Sequence, residues 1–130
     1  MKREVAFKIQ REAMGLTQKD IAEWAGVSLG TVSNYENGKD VRDIYVKQLE
    51  DTLRSTKDRI YPQHSRERSE FSVRFYERMW EESETENDKR RFLNKLLMSI
   101  AYIQEDDIYK DRNKYSTNPG RYSGPYQFGE

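Results

Sequence analysis

Cysteine is absent from the 130-residue chain. That excludes a disulfide framework, cysteine-ligated zinc and thiol chemistry, and it fits a reducing compartment. Long apolar runs are missing too. No segment approaches the ~20 apolar residues of a membrane span, and the charged start, MKREVAFKIQREAMG, is not expected to be a signal peptide. Histidine occurs once, at His64 beside Pro62. It has no cysteine and no acid at useful spacing, so no catalytic or metal-ligand set is expected. Gly-rich phosphate loops are lacking, and no cofactor is implied. An excess of either charge is lacking as well: 23 Lys+Arg stand against 23 Asp+Glu. This disfavours indiscriminate polyanion binding but leaves room for a local basic face.

What is present is helical periodicity. Val5, Ile9 and Ala13 form one stripe, ending at Gly15. In TQKDIAEWAG, Thr17 and Asp20 make a capping-box pattern, with Ile21, Ala22 and Ala25 on the inner face. Gly26 ends that helix where a positive φ is needed. Ser28 caps the next one, with Val32 and Tyr35 inward. Asn37-Gly38 supplies a stop. A fourth helix is expected over roughly 43–55, with Tyr45, Leu49 and Leu53 on one face.

A Pro62-containing linker over 57–66 follows, then two more helices. Phe71, Phe75 and Met79 recur at i, i+4 and i+8, with Tyr76 and Trp80 beside them. The segment EESETEND offers Thr85, Asn87 or Asp88 as a cap. A second stripe carries Phe92/Leu93, Leu96/Leu97, Ile100 and Ile103, over roughly 89–108. Antiparallel packing suits the short connection. The end, NKYSTNPGRYSGPYQFGE, holds three of the seven glycines and two of the three prolines and reads as a disordered tail. Its Tyr115, Tyr122, Tyr126 and Phe128 are able to dock on a partner or stack on bases.

The expected fold is therefore all-α. A helix-turn-helix unit fills 1–56, a linker 57–66, a helical hairpin 67–110 and a flexible tail 111–130. Two short helices joined by a Gly turn, the second capped by Ser, describe a helix-turn-helix. Small Ala22 lets them approach, and the N-terminus of the second is left open to phosphate.

The stretch IQREAMGLTQKDIAEWAGVSLGTVSNYENGK resembles the Cro/C1-type (XRE-like) helix-turn-helix family of phage and bacterial regulators. The match lies in Arg11, the GLTQ at 15–18, Ile21-Ala22, the GVS at 26–28, Val32 and the YENGK at 35–39. The resemblance implies a four- or five-helix domain that binds double-stranded DNA in the bacterial cytosol or nucleoid. It implies phosphate contacts at Gln18, Asn37, Lys39 and Arg42. Base-facing positions are Leu29, Gly30, Ser33 and Asn34, with Ser28 and Thr31 near the backbone. Arg11 and Glu36 match a structural ion pair. Lys19 joins the expected positive face.

Gly30 is unexpected inside a helix, where it costs on the order of 1 kcal/mol relative to Ala. Close approach to DNA and relaxed specificity both account for it. The basic linker residues Arg54, Lys57, Arg59, Arg66 and Arg68 read as phosphate contacts or as a solvated run.

One such unit reads few base pairs, so pairing of two units is expected. The hairpin residues Phe71, Phe75, Met79, Trp80, Leu93, Leu96, Leu97, Ile100 and Ile103 are expected to dimerise the chain, since a free hairpin cannot hide that surface. Fold-back on the first domain and a protein partner for the hairpin or tail are the alternatives. The expected function is a dimeric transcriptional repressor; the other reading is a protein-interaction module, antitoxin-like or polymerase-binding, in which DNA contact is secondary.

Overall fold

The computed structural model describes the backbone of residues 1–114 and the side chains of 1–110; the tail reading, with its four aromatic residues, lies outside that range. Six helices and no strands occur among the described residues: α1 Arg3–Ala13, α2 Gln18–Ala25, α3 Leu29–Glu36, α4 Asp43–Ile60, α5 Arg66–Glu82 and α6 Glu86–Lys114.

Local chemistry sets the boundaries of α2 and α3. The Thr17 hydroxyl accepts from the Asp20 N–H, and the Asp20 carboxylate accepts from the Thr17 N–H, each at 3.0 Å. The Thr17 backbone N–H, and after it the Thr17 hydroxyl, hold the Asp20 carboxyl below the usual range. Gly26 closes α2 at φ 73°, a left-handed conformation cheap only without a Cβ. Ser28 then caps α3 by accepting from the Thr31 N–H at 3.1 Å.

The core gathers Phe7, Met14, Ile21, Ala22, Val32, Tyr35, Val46, Leu49 and Leu53 from α1–α4, with Phe71 of α5 in the same cluster. Phe7 meets the Tyr35 ring edge-on at 5.3 Å. On α4 the buried face is Val46, Leu49, Leu53 and Thr56, whereas Tyr45 is exposed. Val46 rather than Tyr45 continues the three-and-four spacing of the inner stripe. The helix also runs five residues past the expected end at 55, leaving 61–65 as the connection instead of 57–66. Pro62 removes a helical donor and stops the run.

α5 and α6 form the expected antiparallel hairpin. Arg66 at the start of α5 reaches Asp106 and Asp107 near the end of α6, while Met79 and Phe92 are buried together at the other end. Thr85 caps α6 through the Asp88 N–H at 3.1 Å.

The hairpin folds back on α1. Ile9 lies with Met79 and Phe92 in a second buried cluster, flanked by Val5, Ala6, Phe75 and Tyr76. Phe71 and Met79 are buried inside the chain and Phe75 is half-buried there. This corrects the expectation that these three face a second copy: α1 already covers them. Trp80, Leu93 and Leu97 stay exposed, and Leu96, Ile100 and Ile103 are half-buried. A ladder of rings crosses the junction: Tyr61 on Phe71 at 4.8 Å, Phe71 on Phe75 at 5.8 Å, then Tyr76 and Phe92.

The basic residues around the connection serve this docking. Arg68 pairs with Asp58 and donates to the Tyr61 carbonyl, Arg74 donates to the Ala13 carbonyl, and Arg78 pairs with Glu12. Arg54 pairs with Asp51. Arg66 and Arg68 are thus engaged between elements, while Arg54 stays exposed and pairs only along α4.

Candidate nucleic-acid interface

α3 divides cleanly into two faces. Val32, Tyr35 and Glu36 are buried, while Leu29, Gly30 and Asn34 are exposed, Leu29 at 52%. Ser33 and Thr31 are half-buried at the boundary. The Thr31 hydroxyl lies 2.8 Å from that of Ser28, and Ser33 accepts a long 3.4 Å bond from the Asn37 amide. A Cβ at Gly30 would meet only the Ser28 hydroxyl oxygen, at 3.9 Å. No neighbour inside the protein demands a glycine there.

Two networks hold α3 from behind. Arg11 and Glu36 form a two-pronged pair, Nε to Oε2 at 2.7 Å and Nη2 to Oε1 at 2.8 Å, with side chains 8% and 1% exposed. The third Arg11 nitrogen donates to the Leu16 carbonyl at 2.8 Å. Planar guanidinium and carboxylate match in this geometry, and removal of either would strand a buried charge. Gln18 joins them: its amide donates to Glu36 Oε1 at 2.9 Å. The side-chain nitrogen expected at phosphate is therefore engaged inward. The α2 N-terminus remains available there, because the first backbone N–H groups of a helix have no partner within it.

The second network was not visible in the sequence. Glu50 on α4 accepts two bonds from Arg3, at 2.7 and 2.8 Å, and one from the Tyr35 hydroxyl at 2.7 Å. Chiefly the Arg3 bonds, and after them the Tyr35 bond, hold the Glu50 carboxyl below its usual range. Burial, with Glu50 beside it, pushes the Tyr35 phenol up. α1 and α4 thereby converge on α3. The partners are 47 and 15 residues apart, so no local motif announces them.

Lys19 on α2, and Lys39 and Arg42 in the segment after α3, are exposed. Among the described residues, none of the three pairs with a carboxylate within 4 Å, unlike Arg3, Arg11, Arg66, Arg68, Arg78 and Arg91. Gly38 turns the chain at φ 78°, and the Lys39 N–H closes on the Asn34 carbonyl at 2.9 Å. That fixes Lys39 beside the end of α3. Lys19, Lys39 and Arg42 are thus exposed cations outside the ion pairs, with exposed Asp40 and Asp43 next to Lys39 and Arg42 in the chain.

A family model described as helix-turn-helix matches residues 7–60. This segment is a Cro/C1-type helix-turn-helix domain, which supports a DNA-binding regulator of that type. The family is one of DNA-binding regulatory domains, not of enzymes. Neither a curated protein nor a solved structure matches the chain. Among the described residues, no helix is long and apolar enough to cross a membrane, and no group of three or more His, Asp or Glu side chains is placed to hold a metal ion.

Proposed function

We propose that the chain is a sequence-specific repressor that binds an inverted-repeat operator as a dimer and occludes a promoter in the bacterial cytosol or nucleoid. The observation that carries this reading is the outward face of α3: Leu29, Gly30 and Asn34 are exposed and have no role in the core. α3 enters the major groove. Asn34 pairs in two-pronged fashion with an adenine, and Leu29 touches a thymine methyl. The bare Gly30 lets the helix seat closely, and Ser33 lies beside Asn34. Lys19, Asn37, Lys39 and Arg42 contact phosphate, together with the helix ends at Gln18 and Ser28, with Thr31 near the backbone.

Selection from a random duplex pool by the purified chain tests this. The expected product is an inverted repeat with half-site centres about 34 Å, one helical turn, apart. Enrichment of a single unpaired half-site would overturn the dimer while keeping base reading. No enrichment would overturn the repressor and leave a protein-interaction module in its place.

A further inference from the structure

The outer face of α6 carries a pattern that the docked hairpin leaves unused. One arc of α6 faces α5: Phe92 is buried beside Met79, Lys95 lies over the Tyr76 ring at 5.9 Å, the Tyr102 hydroxyl donates to the His64 carbonyl at 3.1 Å, and Asp106 meets Arg66. At 3.6 residues per turn, the opposite arc holds Arg90, Leu93, Leu97, Glu105 and Ile108. Leu97 is 53% exposed and Ile108 57%.

Charge orders this stripe. Arg90 stands at one end and Glu105 towards the other, about 22 Å apart along the axis. Both are exposed, and among the described residues neither belongs to an ion pair, whereas Arg91, Asp106, Asp107 and Lys110 do. A second copy laid parallel would put Arg90 beside Arg90 and Glu105 beside Glu105. Laid antiparallel about a two-fold axis between Leu97 and Met98, it puts each Arg90 against the other chain's Glu105 and brings the two Leu97 side chains together. Opposite charges flanking an apolar seam set orientation and register in this way.

We propose that two copies of this chain pair through antiparallel α6 helices, centred near Leu97 and held in register by reciprocal Arg90–Glu105 pairs. The proposal rests on the dimeric reading above and names its surface. It also accounts for why burial of Phe71 and Met79 against α1 leaves Leu93 and Leu97 uncovered.

Sedimentation equilibrium of the full chain without DNA is the test. The expected result is a dimer that Leu97→Asp converts to monomer with an unchanged helical circular dichroism spectrum, since Leu97 contributes little to the internal core. Arg90→Glu and Glu105→Arg should each weaken the dimer about a hundredfold, since each disrupts both reciprocal pairs at about tenfold per coupling, and the double reversal should restore it. A monomeric chain, a dimer indifferent to Leu97→Asp, or a double reversal no better than the singles would overturn the proposal. Because no DNA is present, failure here is separate from failure of operator binding: a monomer that still enriches one half-site sinks only the pairing.

Discussion

Ile9 of the first helix and Met79 of the fifth lie in one buried cluster, which ties the DNA-binding domain to the hairpin behind it. Ile9 is 1% exposed, so Ile9→Ala leaves a hole that neither side fills readily. The expected loss is about 2–5 kcal/mol in urea unfolding of the full chain. Residues 1–60 expressed alone should show a much smaller effect, because Met79 and Phe92 are absent there. Equal losses in both would show that Ile9 serves the first four helices only.

Arg11→Ala should be more damaging than its position far from the outward face of α3 suggests. It leaves Glu36 as an unpaired charge in a nearly dry site, at a cost of about 3–5 kcal/mol. The Leu16 carbonyl loses its donor with it, while Gln18 keeps its bond to Glu36. Thermal melting reads the loss. Replacing Arg11 and Glu36 together by Met and Leu should restore much of it, since no buried charge remains.

Gly30→Ala separates stability from recognition. The added methyl has open space and gains helix propensity, so the melting temperature should rise by an amount equivalent to as much as about 1 kcal/mol. Operator affinity should fall in the same variant if α3 seats closely against the bases. A variant both more stable and equally tight would instead assign Gly30 to relaxed specificity.

Lys39→Ala and Asn34→Ala should fail in different ways. Loss of a phosphate contact weakens all duplexes alike and lowers the slope of log affinity against log salt by about 0.9 per contact removed. Loss of a base contact costs about 1–3 kcal/mol at one operator position and leaves the slope unchanged. Titration of operator and scrambled duplexes at several salt concentrations distinguishes them.

Glu50 gives a pH dependence of known sign. Its carboxyl is held low in the folded chain, first by Arg3 and then by Tyr35. Its stabilisation is therefore complete above the ordinary glutamate value of about 4.3 and lost as pH falls through the lowered one. The stability advantage of the native chain over Glu50→Gln should be full at neutral pH and disappear in acid. An advantage that grew on acidification would contradict the Arg3–Glu50–Tyr35 geometry.

The sequence revealed best what neighbouring residues settle among themselves. Thr17 with Asp20, Gly26 and Ser28 mark the ends of α2 and α3 because capping acts within a turn of helix, and the inward Val32 and Tyr35 follow from spacing. What escaped it is non-local. The Val5–Ile9–Ala13 stripe was plain, but not that its partner stands in α5. Phe7, off that stripe, completes a second apolar face that α1 needs because it packs on both sides. Arg68, Arg74 and Arg78 on α5 look like solvated charges until they meet Asp58 of α4 and the Ala13 carbonyl and Glu12 of α1. Gln18 likewise looks outward-facing until Glu36 is folded beneath it.

The inward residues of α3 belong to the scaffold, and Leu29, Gly30 and Asn34 belong to nothing else in the chain. On the proposed reading, mutation there redraws what the chain recognises without eroding its fold. Under that proposal a lineage could move from one operator to another through single substitutions that leave the scaffold folded, and the same freedom would be open to anyone who wishes to retarget it.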